Sequence, residues 1–397
     1  MRDAPIGSRK RVSGLSSILL VVASASLAAA IPGTARAAEL LQPDRDRLER
    51  WVKILAAPEL EGRRGEGARR TAAMLVEEFG RLKLEPLFGD QYVQVVPSAP
   101  PANVEGRNVG AILRGSDPVL RDEYVILSAH YDHLGKPNGV LHPGADDNAS
   151  GVAMMLEAAR CLATAPEPPK RSILFIGFDL EEAGLYGSRY YAANPPIPLE
   201  KVALFITADM IGRSLGGVCD GWVFVMGSEH VPALRPWIAE AAENRHLTIG
   251  LLGADLLLLN RSDYGPFRNR KVPFLFFSTG ESPAYHTPDD VPETLDYATM
   301  TEISRTIHNL VERAADAPSL PKWSDKVDHP VEEALTLRDV LRVMSANQEA
   351  LKINTAQSFL INRTLRTLDG AIERGRYEPS ERAGVLQAAR ILIMTTF

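Results

Sequence analysis

The sequence predicts an α/β fold, a mostly parallel central sheet covered by helices on both faces, with a helical C-terminal extension. Three observations predict it. Short, continuous apolar runs rich in β-branched and aromatic residues stand at Glu123–Ser128, Ser172–Phe178 and Ala203–Thr207, with similar runs at Val223–Met226 and Pro273–Phe277. A run that is apolar on both faces of its pleat reads as a buried parallel strand. Helical patterns lie between these runs at Ala149–Ala163, Val231–Arg245 and Glu293–Ala315, so strands alternate with helices of crossover length. Beyond a Pro-containing linker at Ala317–Lys322, the pattern becomes purely helical, at Val331–Lys352, Asn354–Arg374 and Pro379–Met394.

The remaining elements follow from local signals. Apolar residues at Ala72, Leu75, Val76, Phe79 and Leu82 recur at helical spacing and make Glu66–Leu82 an amphipathic helix. The C-terminal helices hold no cluster of metal-ligating residues and are expected to serve packing or oligomerisation. Residues 1–37 have a basic start (Arg2, Arg9, Lys10, Arg11), an apolar run from Leu15 to Ile31 and then Thr34-Ala35-Arg36-Ala37, which together read as a secretory signal cleaved after Ala37. The expected organisation is thus a signal peptide at 1–37, a main domain at 38–318 and a helical extension at 319–397.

Composition bounds the function classes. The 397 residues are 24% charged and 45% apolar, with 44 Lys+Arg against 50 Asp+Glu. These values exclude a disordered or fibrous chain. Without the signal, which carries five basic residues and one acid, 39 basic residues face 49 acidic ones, a net −10. That balance gives no electrostatic footprint for nucleic acid. No second apolar stretch reaches the roughly 20 residues of a membrane span. The mature chain is therefore expected to be exported, periplasmic or secreted. Cys161 and Cys219 permit one disulfide, although Cys161 sits in an apolar helical pattern that equally suits an inert buried thiol.

Chemistry-bearing residues gather where the strands end, the edge at which open α/β sheets bind ligands. The first strand runs into Ser-Ala-His130-Tyr-Asp132-His133-Leu-Gly. His142-Pro-Gly-Ala-Asp146-Asp147-Asn148-Ala-Ser-Gly then opens a helix. The next two strands end in Phe-Asp179-Leu-Glu181-Glu182-Ala-Gly and Thr-Ala-Asp209-Met-Ile-Gly. Tyr285-His286-Thr-Pro-Asp-Asp follows the strand around Phe276. Singly, each has a bland reading: a hydrogen-bonded structural histidine, a helix cap, a solvated acid pair, a turn former. Jointly, several carboxylates and two imidazoles would converge with no basic residue nearby, which is unfavourable without cations. Imidazole plus carboxylate, without thiolate, suits zinc or a similar divalent ion.

AHYDHLG, PGADDNASGV, FDLEEAGLYGSRYY and YHTPDD, in this order and with LEGRRGEGARR upstream, resemble the M28 family of zinc metallopeptidases. The resemblance covers about Leu60 to Ala315. It implies a zinc-exopeptidase (phosphorylase/hydrolase-like) fold and two Zn2+ per chain. By motif, His130 and Asp209 would serve one ion, Glu182 and His286 the other, and Asp147 both. Glu181 would be the general base, Asp132 would orient the His130 imidazole, and Tyr285 would stabilise the oxyanion. A peptide substrate is implied, with aminopeptidase the leading activity because a free amine finds favourable charge beside Glu181 and Asp209. Carboxypeptidase or dipeptidase activity, a single-zinc glutaminyl-cyclase-like acyl transfer and a non-catalytic binding module are the alternatives. His133 is expected to be structural or supporting. His142, His230, His246, His308 and His329 are expected to be surface or core residues. Arg213 and Arg261 are candidate substrate anchors. Tyr264, in Ser262-Asp263-Tyr264-Gly-Pro-Phe267, stands where relatives often have His.

Overall fold

The computed structural model describes residues 41–98, 100, 103–243, 245–254, 260–327 and 331–396. The signal-like segment 1–37 and His329 lie outside them. Nine strands form one sheet: β1 (Glu85–Pro86), β2 (Val93–Val96), β3 (Gly106–Leu113), β4 (Tyr124–His130), β5 (Ser172–Phe178), β6 (Val202–Ala208), β7 (Trp222–Met226), β8 (Thr248–Leu252) and β9 (Phe274–Ser278). Their order is β1-β3-β5-β4-β6-β9-β7-β8, with β2 also paired to β3. The central strands β5-β4-β6-β9 are parallel, as are β7 and β8. β3 against β5 and β7 against β9 are antiparallel, so the sheet is mixed and its parallel part is the centre.

Among the described residues ten α-helices surround it: α1 (Arg45–Leu55), α2 (Glu66–Arg81), α3 (Gly151–Ala163), α4 (Tyr186–Ala193), α5 (Arg235–Ala241), α6 (Tyr264–Arg268), α7 (Tyr297–Asp316), α8 (Val331–Ala346), α9 (Thr355–Glu373) and α10 (Pro379–Thr396). Strand residues alternate between two cores, apart from a register shift at the start of β6. Val125, Leu127, Ile173, Phe175, Leu204, Ile206, Val223 and Leu275 face α1, α2, α3, α5 and α7. Ile126, Leu174, Ile176, Phe205, Phe224, Met226, Phe274 and Phe276 face the other side, where α8–α10 pack. This two-sided burial is why the strands read as unbroken apolar runs. Asp296 caps α7 by accepting from the Ala298 and Thr299 amides, and Asn354 with Gln357 forms a capping box on α9.

Residues 40–397 form one compact unit that includes the C-terminal helices. A buried ion pair bolts them down. Arg382 of α10 donates to both oxygens of Glu333 on α8, at 2.5 and 2.9 Å, and Glu333 Oε1 also accepts from the Gly253 amide just after β8. Cys161 and Cys219 are separate, buried thiols, and burial pushes the first up to about 11. No described helix is long and apolar enough to cross a membrane.

Two outcomes follow from these buried charges. Arg382→Met strands the Glu333 carboxylate, so the urea midpoint should fall by the equivalent of about 3–5 kcal/mol. Adding Glu333→Leu should restore only part, because the Gly253 amide then lacks its acceptor. His308 on α7 is buried with neither ring nitrogen bonded, and burial, with Arg245 and Arg160, lowers its pKa to about 4. The unfolded chain therefore binds that proton first as pH drops. Stability should be lost between about pH 6.5 and 4, by about 3 kcal/mol in total. In His308→Leu, urea unfolding across that window should lose this slope.

Candidate metal centre

Register places the first site residues. Ser128 of β4 lies opposite Thr207 of β6, so His130 and Asp209, two residues on, leave the sheet at the same level. β5 ends beside His130 and turns through Leu180, at φ +58°, to deliver Glu181 and Glu182. The turn at 145–150 before α3 supplies Asp147, whose peptide bond to Asn148 is cis. Tyr285 and His286 arrive from the loop after β9, their rings stacked at 3.8 Å.

The side chains meet around Asp147. His130 Nε2 lies 3.4 Å from Asp147 Oδ1 and 3.2 Å from Asp209 Oδ1. His286 Nε2 lies 3.1 Å from Asp147 Oδ2 and 3.3 Å from Glu182 Oε2. Ligands about 2.0–2.1 Å from a tetrahedral zinc stand roughly 3.3 Å apart, and the four imidazole–carboxylate distances are close to that spacing. The donors are imidazole nitrogens and carboxylate oxygens alone, a set that fits zinc. Among the described residues, two groups bring potential ligand atoms within 4.8 Å of one another: His130 with Asp147 and Asp209, and His133 with Asp147 and Glu182. His133 has Nδ1 2.9 Å from Glu182 Oε1 and 3.7 Å from Asp147 Oδ2, a position that suits the supporting role expected for it.

The supports came only partly from sequence. Asp132 lies 3.7 Å from His130 Nδ1, and its closer partners are the amides of Glu181 (3.0 Å) and Glu182 (3.3 Å), so it holds the glutamate loop as well as facing the imidazole. Asp146 is turned away from the cluster and accepts from the Gly212 amide at 2.7 Å. Asp290 accepts from the Asp146 and Asp147 amides, joining the His286 loop to the Asp147 turn. Arg213 pairs with Asp290 at 3.2 Å and with the carbonyls of Asp289 and Val291, which corrects its reading as a substrate anchor. Arg261 pairs with Glu281 at 2.8 Å. Tyr264 is core, stacked on Phe274 at 5.1 Å, and Asp263 is buried behind the site, its carboxyl pushed up to about 7 by burial.

The expectation that no basic residue lies near the acids is also corrected. Arg63 is fully buried directly beneath Asp147 and uses all five of its donors on carbonyls: Tyr131 (2.8 Å), Leu55 (3.0 Å), Pro143 (2.7 Å), Gly144 (2.7 Å) and Asp147 (3.1 Å). The chain reaches this position through left-handed Glu61, Gly62 and Arg63. A side chain at Gly62 would strike the Gly135 and His142 carbonyls. One guanidinium, whose charge acts on Asp147, Asp290, Asp132 and Glu182, is not enough to neutralise them.

The electrostatics show the residual imbalance. Burial pushes the Glu181 carboxyl well above its ordinary range; His130 opposes this, and Asp209, Asp263 and Glu182 reinforce it. Burial and Asp147 also push Glu182 upward, but His133 and His286 prevail and hold it below. Burial disfavours charge on His286, yet its bonds to Asp147 and Glu182 raise it to about 10. Burial, then Asp147, Asp209 and Glu182, raise Tyr285, so its phenol remains a proton donor. The cluster attracts positive charge, which divalent ions supply while displacing protons.

Arg63→Lys keeps the charge but cannot reproduce a five-bond planar fork. Zinc affinity, measured by competition with a chromogenic chelator, should fall about 10–100-fold, as for lost supporting bonds in metal sites. The thermal midpoint should fall as well.

The chain is similar to several known proteins. The chain is 28% identical over 215 residues to aminopeptidase YwaD of Bacillus subtilis, covering 52% of this chain and 45% of that protein. It is 27% identical over 216 residues to a glutaminyl-peptide cyclotransferase of Drosophila melanogaster, covering 47% and 60%. The chain therefore spans about half the length of these curated relatives. A Zn-dependent exopeptidase from Parabacteroides distasonis superposes with a TM-score of 0.57 at 20% identity, covering 69% of this chain and 99% of that one, and shares the fold. The Peptidase family M28 model matches residues 108–311, just over half the sequence. The chain belongs to peptidase family M28.

Proposed function

We propose that this protein is an exported zinc aminopeptidase that releases N-terminal residues from peptides, with two Zn2+ per chain and Glu181 as general base. The observation that carries the reading is the Asp147 carboxylate, one oxygen facing His130 and the other His286. His130, Asp147 and Asp209 would hold one ion, and Asp147, Glu182 and His286 the other. Bound zinc would polarise the scissile carbonyl and acidify the attacking water. Export rests on the sequence of residues 1–37.

The chain's own residues do the rest. Glu181 shares a cavity with Asp147, Asp209, Tyr285 and His286. It takes the proton of the attacking water and delivers it to the leaving amine. Asp132 fixes the Glu181 and Glu182 amides, so the two carboxylates point to different tasks. His133 bonds the Glu182 oxygen turned away from His286 and orients that ligand. The Tyr285 hydroxyl donates to the developing oxyanion. Glu181 and Asp209 supply favourable charge for the free α-amine. Glutaminyl cyclisation is the second reading, favoured by the similarity to the cyclotransferase. It would need one ion, whereas both oxygens of Asp147 are offered here.

Glu181→Ala should retain zinc, counted by atomic emission on purified protein, while kcat on a free aminoacyl anilide falls about 10²–10⁴-fold. N-acetylated anilides should resist the native enzyme. Unchanged turnover in the variant removes Glu181 as base. Cyclisation of an N-terminal Gln peptide without anilide hydrolysis establishes the second reading instead.

A further inference from the structure

The loops that meet at the metal centre are not anchored alike. His130 is the last residue of β4, and Asp209 follows β6 with its amide donating to the Phe277 carbonyl of β9 at 3.0 Å, so both stand at strand ends. His286 comes from the loop beyond β9, with 34% of its side chain exposed against 9% or less for His130, Asp147, Glu182 and Asp209. It also holds a φ of +55°, a left-handed conformation that a residue with a Cβ keeps only where its surroundings enforce it. Asp290 is the anchor downstream of it. The Asp290 carboxylate accepts from the amides of Asp146 (2.9 and 3.0 Å) and Asp147 (3.1 Å), and its carbonyl accepts from the Ala145 amide at 3.1 Å. Arg213 holds that anchor from the loop after β6. Its Nε donates to Asp290 Oδ1 at 3.2 Å, and its Nη2 to the carbonyls of Asp289 (3.1 Å) and Val291 (3.4 Å) and to the Thr294 hydroxyl.

We propose that Arg213 is a positioning residue for the ion that Asp147, Glu182 and His286 would share, and that the ion at His130 and Asp209 does not depend on it. This rests on the two-metal reading. The asymmetry follows from what each loop keeps when the guanidinium is lost. Asp209 keeps its strand-end bond, and the residues after it are fixed through their own amides: Met210 to Asn148 Oδ1 (3.4 Å), Ile211 to Ser150 Oγ (3.1 Å) and Gly212 to Asp146 Oδ1 (2.7 Å). Asp147 keeps Arg63 beneath its carbonyl. The stretch from Asp289 to Thr294 loses four bonds at once, and the buried Asp290 carboxylate loses its cation. A buried carboxylate left without its partner drives local rearrangement, and here the rearranging loop carries His286. Tyr285, stacked on that imidazole at 3.8 Å, moves with it.

Competition with a chromogenic chelator on the purified full chain reads both zinc affinities, and His286→Ala marks which one belongs to the His286 position. Arg213→Gln should weaken that affinity about 10–100-fold, the usual effect of losing a bond that orients a ligand, and leave the other unchanged. In the His286→Ala background, Arg213→Gln should have no further effect on the remaining ion, a result that general damage to the fold would not give. Arg213→Lys keeps the charge but cannot span the same acceptors, so it should fall between, and it carries the test if the Gln variant does not fold. Raising free zinc should restore anilide hydrolysis to Arg213→Gln but not to Glu181→Ala. Equal weakening at both positions, or none at either in a folded variant, overturns the proposal. A native chain that takes up one ion rejects the two-metal reading and the proposal with it. Selective weakening without anilide turnover leaves the role of Arg213 standing and rejects the aminopeptidase reading.

Discussion

Five hydrogen bonds from one buried guanidinium hold the site together. Arg63 ties the carbonyls of Leu55, Tyr131, Pro143, Gly144 and Asp147 into one plane, spanning the chain before α2, the end of β4 and the turn before α3. Each of these backbone groups is far from water, and an unpaired carbonyl there would cost about 1–3 kcal/mol. The left-handed approach through Glu61 and Gly62 has meaning only in this light, because it is how the chain threads a long cation beneath the site. With Asp147 fixed from below by Arg63 and from its amide by Asp290, its carboxylate has little freedom left.

Above that platform the charges do not balance. Asp147, Glu181, Glu182 and Asp209 gather with His130, His133 and His286, and Arg63, the buried cation beneath them, donates to carbonyls. Protonated imidazoles make up part of the deficit, which is why His130 and His286 are raised despite burial. Divalent ions do so without protons, and they hold the ligand spacing already present. The site, the family and the proposed hydrolysis therefore share one origin in an acid cluster arranged for cations.

Much of this was legible in the sequence. The β4, β5, β6, β7 and β9 strands were found because both of their faces are buried, leaving continuous apolar runs. β3 and β8 were missed because glycines (Gly106, Gly110 and Gly250) and neighbouring polar residues interrupt theirs. His130, Glu181, Glu182 and Asp209 were visible because they follow strand ends, where any polar residue stands out against an apolar run. Arg63 was not, since an arginine in LEGRRGEGARR looks like surface and its role depends on carbonyls contributed by loops 8–84 positions away. His133, expected to be structural or supporting, bonds Glu182 from the loop beyond β4. The helical pattern at Val331–Met394 shows that an apolar face exists, but only the tertiary arrangement shows that it packs on the sheet beside the metal centre.

The central claim is that two cations share Asp147. Anomalous diffraction at the zinc absorption edge, from crystals of the zinc-loaded protein, tests it most directly. Two peaks should flank the Asp147 carboxylate, one contacting His130 and Asp209, the other Glu182 and His286. A single peak, or none touching Asp147, would contradict the account.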